Sequence, residues 1–136
     1  MNKERRRYPR VLLNGDVELF LEQESRPALL LNVSPTGAQL ECRHQLIQYL
    51  TSNKNEAGMY PPMDIAFSLP QPGGRKTSLR LSCAVSYCRR LSQDCYHLGL
   101  DFGEVSGKDE QAFQRFIDQS ERSQWLNGPG TEALNC

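Results

Sequence analysis

Apolar and polar residues alternate along most of this chain with the two-residue period of strands that have one buried face. Val11, Leu13, Val17, Leu19 and Leu21 form the first such series, and Asn14-Gly15 interrupts it where a bulge or kink is expected. Residues 22–27 are charged and end in proline, which predicts a turn. Residues 28–33 read as a second strand with Leu29, Leu31 and Val33 on one face. Ser34-Pro35 and Gly37 then mark a tight turn, and Ala38, Leu40 and Cys42 share one side of a third strand.

Over residues 44–55 the apolar positions Leu46, Ile47 and Leu50 fall at i, i+1 and i+4, predicting a short helix before a break at 58–62. Met63, Ile65, Phe67 and Leu69 resume the strand period, and Pro70-Gln71-Pro72-Gly73-Gly74 is the strongest turn signal in the chain. The next strand is the longest, with Leu79, Leu81, Cys83, Val85 and Tyr87 on its inner side. Regular alternation would put Cys88 on the face opposite Cys83. Residues 91–94 turn back into a sixth strand carrying Tyr96, Leu98, Leu100 and Phe102. On this reading Phe67, Tyr87, Tyr96 and Phe102 all point inward. Six antiparallel strands on short turns predict an all-β fold, either a closed barrel or a compact sandwich.

From Gly107 the period changes. Phe113, Phe116 and Ile117 fall at i, i+3 and i+4, which predicts an amphipathic helix over about residues 108–123 covering an end or edge of the barrel, with Trp125 as its last anchor. Asn127-Gly128-Pro129-Gly130 should stop it. The expected organisation is an arginine-rich strap over residues 1–10, a barrel over 11–105, a helical segment over 106–126 and a frayed tail over 127–136.

A chain of 136 residues, 38% apolar and 24% charged, fits one soluble domain with a real core. No uncharged apolar run approaches the roughly 18 residues of a membrane span, and no apolar signal core follows the charged N-terminus. The expectation is a cytoplasmic protein without membrane insertion. Five cysteines, an odd number without paired short spacings, fit reduced thiols there.

The formal net charge is zero, yet the first ten residues hold Lys3, Arg5, Arg6, Arg7 and Arg10 against Glu4, a local excess of +4. That imbalance points to a local anion site rather than a basic protein. Pro9 disfavours helix at Tyr8, so Arg6 and Arg10 belong to an extended or turning segment. Each guanidinium fork can bind a phosphate or the O6/N7 edge of guanine bidentately, and can stack on an aromatic face. Further on, Asn32 and Ser34 are two apart and share a face of a strand, with Gly37 giving the backbone freedom at the turn. An amide, a hydroxyl and exposed turn N–H groups form a polar patch suited to a nucleotide edge or phosphate.

Other chemistries find little support. Cys42/His44 and Cys95/His97 are each i, i+2 pairs, but Cys-x-His is not a usual zinc spacing, and no metal site is expected. Two histidines without a triad-like arrangement, and no phosphate-cradling glycine loop, argue against an enzyme; no catalytic residue is assigned. Single-stranded nucleic-acid binding would want a basic groove interleaved with exposed aromatics, and the inward assignment of the aromatics opposes it.

Arg6-x-x-x-Arg10, a strand, Asn32-x-Ser34-x-x-Gly37 and the late Gly99-Leu100-Asp101-Phe102 together resemble the PilZ domain, a bacterial receptor module for cyclic di-GMP, over about residues 4–105. The resemblance implies a six-stranded split barrel followed by a helix. It implies that Arg6 and Arg10 wrap the ligand's phosphates and guanines, that Asn32, Ser34 and Gly37 form the facing floor, and that Arg5 also contacts ligand. In that family an arginine directly before the motif accompanies two intercalated ligand molecules, so two cyclic di-GMP per chain are expected here, with no other cofactor. It also implies a receptor that signals to a downstream protein, not to nucleic acid. A relative that has lost ligand binding and acts through protein contacts alone is the alternative. No role attaches to residues 44–62.

Overall fold

The alternating segments close into a ring. In a computed structural model describing residues 11–127, with side chains over 15–120, six antiparallel strands run β1 (Val11–Leu21), β2 (Glu24–Ser34), β3 (Gly37–Cys42), β4 (Met63–Gln71), β5 (Arg75–Ser92) and β6 (Cys95–Phe102). Their order around the barrel is β1-β2-β3-β6-β5-β4. Closure is brief: β1 meets β4 only at Glu18–Ala66, Leu19–Ile65 and Phe20–Asp64. Beyond these pairs the two strands diverge into a cleft of about 580 Å³ between Asp16, Phe67 and Lys76.

Alternation fills the interior as expected on most strands. Val17, Leu19 and Leu21, then Ala38, Leu40 and Cys42, then Met63, Ile65, Phe67 and Leu69 are all buried in one core. Two helices complete the described residues. Helix α1 (His44–Ser52) buries Leu46, Ile47 and Leu50 against that core. Its first N–H is capped from a distance: Asp94, on the β5–β6 turn, accepts from the His44 N–H at 2.8 Å and pairs with Arg43. The two hydrogen bonds hold the Asp94 carboxyl below its ordinary pKa.

Helix α2 (Gly107–Asn127) lies against β4 and the short 3-10 turn that follows it. Phe113, fully buried, sits between Phe67 and Phe102 at centroid distances of 6.3 and 6.0 Å, and Phe116 and Ile117 are buried beside it. Gln71 latches the helix: its Nε2 donates to the Ala112 carbonyl at 3.1 Å, and its Oε1 accepts from Arg115 Nε at 2.7 Å. The Trp125 side chain lies outside the described side chains.

Several expectations need correction. The stretch 22–27 is not all turn: β2 begins at Glu24, and only residues 22–23 reverse the chain, with Glu22 in the left-handed region at φ 59°. Pro27 sits within β2 opposite Glu18, but beyond the last residue paired to β3, where its missing N–H leaves no ladder bond unmade. Leu29, Leu31 and Val33 do not share the inner face. Leu31 is a bulge between Leu30–Leu40 and Asn32–Gln39, so the core takes Leu30 and Val33. A second bulge at Ser86 turns Tyr87 outward, 41% exposed, and returns Cys88 to pack against the same core as Cys83. The bulge expected at Asn14-Gly15 is present, between the Leu12 and Gly15 pairs.

Candidate functional site

The β2–β3 hairpin builds its own turn from the residues singled out in the sequence. Ser34 pairs with Gly37 across residues 35–36. The Ser34 hydroxyl accepts from the Thr36 N–H at 3.2 Å and is hydrogen-bonded to Thr36 Oγ1 at 3.0 Å. Thr36 in turn offers its carbonyl to the Phe102 N–H at 2.9 Å, tying the hairpin to the end of β6. Ser34 is completely buried, so its hydroxyl shapes the turn rather than standing free. Gly37 does not use left-handed freedom; that conformation belongs to Gly58, Gly73 and Gly74. It pairs with Ser34 on one side and with Asp101 on the other, at the start of β3.

With Val33 inside, Asn32 and Ser34 flank it on the outer face. The bulge at Leu31 sets that phase. Strand β1 then fixes where the arginine stretch joins, because Val11 pairs with Val33 and Leu12 with Asn32. Strand β1 thus begins, at Val11, beside Asn32 and Ser34. Arg5, Arg6 and Arg10 themselves lie outside the described residues.

From Asn32 an outward row crosses four strands: Asn32 pairs with Gln39, Gln39 with Gly99, and Gly99 with Tyr87. Side chains link it. Asn32 Nδ2 donates to Gln39 Oε1 at 2.7 Å, and Gln39 Nε2 donates to the Tyr87 hydroxyl at 2.7 Å. Asn32 Oδ1 is buried yet meets no partner among the described residues. A buried carbonyl oxygen in that condition favours any donor brought to it. The pattern of the sequence did not single out Gln39 or Tyr87; Gly99, a glycine inside an otherwise apolar strand, was the one local sign of a close approach there.

A neighbouring row holds Glu41, His97 and Arg89. His97 is buried, and desolvation holds its pKa below the ordinary value, with Glu41 opposing and Arg89 adding to that shift. Its Nε2 meets no partner among the described residues. Glu41, Cys95 and His97 bring potential ligand atoms within 4.8 Å of one another, but Cys95 is disulfide-bonded and offers no thiolate; it also departs from the expectation of reduced thiols throughout. Cys42, half of the other Cys-x-His pair, is in the core rather than on an outward face. Burial pushes its thiol up to about 12, and does the same to Cys83. His44 faces away to hydrogen-bond the Tyr96 hydroxyl at 2.7 Å.

Among known proteins, the family model for the PilZ domain matches residues 4–119, a span that takes in the arginine stretch, the barrel and the first part of α2. No curated protein sequence matches the chain. Among solved structures, the inhibitor of motility MotI/DgrA of Bacillus subtilis is similar at 20% identity and a TM-score of 0.64, over 92% of this chain and 53% of that one. The PilZ domain of Escherichia coli YcgR, solved with c-di-GMP, is similar at 16% identity and a TM-score of 0.59, over 91% of this chain and 97% of that one. The K. pneumonia MrkH–c-di-GMP complex is similar at 15% identity and a TM-score of 0.62, over 91% of this chain and 56% of that one. The chain thus spans about half the length of MotI/DgrA and of MrkH.

Proposed function

We propose that this chain, which belongs to the PilZ domain family, is a receptor that binds cyclic di-GMP between its arginine stretch and the outer face of the β2–β3 hairpin. One observation carries the reading. The register of β1 brings the chain that follows Arg10 beside Asn32 and Ser34, where a buried amide oxygen meets no donor among the described residues. The ligand has two anionic phosphodiesters and two guanines, so guanidinium forks can serve every part of it, and lysine would lose the bidentate geometry. Two similar structures, of YcgR and MrkH, were solved with this ligand.

In this reading Arg6 and Arg10 clamp phosphates and guanine edges, while Asn32, Ser34 and Gly37 supply the floor. Arg5 is the cation that admits a second, intercalated ligand by offsetting two further phosphate charges. Binding draws the arginine stretch and the barrel onto one ligand, and a cytoplasmic protein partner reads the resulting surface. The chain acts by binding, without a chemical step.

Calorimetry and thermal unfolding of the full chain test this. Cyclic di-GMP should stabilise by about 2.7 kcal/mol at a hundredfold excess over Kd, whereas GMP or a single-stranded oligonucleotide should do far less. The binding ratio should be about two, falling to about one for Arg5→Leu. Absence of heat and of any thermal shift at high cyclic di-GMP would overturn the receptor reading. A ratio of about one that Arg5→Leu leaves unchanged would overturn only the paired ligand.

A further inference from the structure

Tyr87 is one of the few large apolar side chains exposed among the described residues, and it lies in the row that begins at Asn32. Its ring packs against Gly99 of β6. A Cβ built on Gly99 would stand 2.3 Å from Tyr87 Cε1, 2.5 Å from Cδ1 and 2.7 Å from Cζ, so the ring rests on backbone that only glycine leaves bare. The phenol oxygen is held at the other end by Gln39 Nε2 at 2.7 Å. The ring is thereby held against β6 and still leaves part of its area to solvent. The bulge at Ser86 is what brings the residue to this side.

We propose that Tyr87 is a stacking plate for one guanine of the bound dinucleotide, with the polar edge of that base turned towards the Gln39 and Asn32 amides. This deepens the receptor reading and rests on it. An aromatic ring fixed at both ends loses little freedom when a base settles on it, and any base has a π-face to offer. Specificity then comes from the row alongside. Adjacent strands lie about 4.8 Å apart, so the two carboxamides stand one strand step from each other, beside the phenol end of the ring. Guanine presents N1–H and N2–H donors on the edge that such amide oxygens recognise, and Asn32 Oδ1 is a buried acceptor without a partner among the described residues. Adenine lacks those donors. Tyr87 therefore supplies affinity, while the Asn32 and Gln39 amides beside it discriminate guanine from adenine.

The test titrates the full-length chain with cyclic di-GMP by calorimetry and follows the guanine H8 protons by NMR, with cyclic di-AMP as the competing base. Stacking on Tyr87 shifts an H8 resonance upfield. Tyr87→Phe keeps that shift and binds within about threefold of the native chain, because the ring remains. Tyr87→Ala abolishes the shift and weakens binding roughly 5- to 150-fold. Tyr87→Leu, which keeps apolar bulk without a ring, should match Tyr87→Ala and carries the comparison if the alanine variant fails to fold. Gly99→Ala lifts the ring and should fall between native and Tyr87→Ala. Equal losses in Tyr87→Phe and Tyr87→Ala would assign the effect to the hydroxyl and overturn stacking. Unchanged affinity and H8 shifts in Tyr87→Ala, with binding lost in Arg10→Ala, would overturn the inference and leave the receptor reading intact. A native chain that binds no cyclic di-GMP, or that prefers a single-stranded oligonucleotide, would overturn both.

Discussion

Replacing Asn32 by alanine separates a binding residue from a structural one. In the native chain Asn32 Nδ2 donates to Gln39 Oε1 at 2.7 Å, while Oδ1 is buried and meets no partner among the described residues. Removing the amide forfeits one hydrogen bond, a net loss of about 0.5–1.5 kcal/mol. It also removes a buried, unpaired acceptor that costs about 1–3 kcal/mol. Gln39 is only half-buried and can turn to water. The two terms oppose, so the unliganded Asn32→Ala chain should lie within about 1 kcal/mol of native stability. Ligand binding has no such offset. A hydrogen bond to a charged or fully desolvated partner is worth about 1.5–3 kcal/mol, and Kd should rise by roughly 10- to 150-fold. Urea unfolding with and without cyclic di-GMP reads both at once. At a concentration that stabilises the native chain by about 2.7 kcal/mol, a hundredfold weaker variant gains only about 0.4 kcal/mol. The reasoning fails if Asn32→Ala loses 2 kcal/mol or more without ligand, on the order of a structural clamp, and yet keeps the full ligand-induced increment.

Arg6→Ala and Arg10→Ala should each cost about 2–4 kcal/mol of binding by calorimetry, with little change in unliganded stability; unfolding of the unliganded chain would make those arginines structural. Phe113→Ala empties the space between Phe67 and Phe102 and should cost about 3–5 kcal/mol, a drop of roughly 10–17 °C in thermal midpoint, if α2 seals the barrel. His97 has a depressed folded pKa, so the stability it contributes is present above about pH 6.5 and is lost as pH falls from there through the folded value. Comparing urea midpoints at about pH 7.5 and about 5.5, His97→Gln should reduce the difference; an unchanged difference would place the sensitivity elsewhere. Asp94→Ala should speed amide exchange at His44 and in the first turn of α1, while the barrel amides stay protected.

Much of this architecture was legible because most strands keep a strict period of two. Met63 to Leu69 and Ala38 to Cys42 are buried at every second residue, and Phe113, Phe116 and Ile117 declare their helix face as plainly. The failures share one cause. A bulge adds a residue to one strand of a pair, and its position is set by the partner strand, which periodicity in a single strand does not reveal. That is why Leu29 and Leu31 were assigned to the core face when Leu30 and Val33 occupy it, and why Tyr87 was expected inside. The hairpin motif was legible as residue types. The work of Ser34 inside its own turn, and the Gln39–Tyr87 continuation of the Asn32 row, arise only from pairing across strands.

Those same irregularities carry an evolutionary consequence. The extra residues in β1, β2 and β5 sit on strands that supply or border the outward row, so each one governs the phase of the side chains beyond it. Straightening the bulge, so that Leu31 entered the ladder in register, would make the pairing regular and would also turn Asn32 and Ser34 towards the core. Such a change would look like a repair to any procedure that scores strand regularity, while it took Asn32 and Ser34 off the outer face. Variation in this barrel is therefore freer in which residues it carries than in how many: substitutions can tune the outer row one position at a time, whereas a single insertion or deletion among the paired residues of these strands exchanges inside for outside unless a bulge absorbs it.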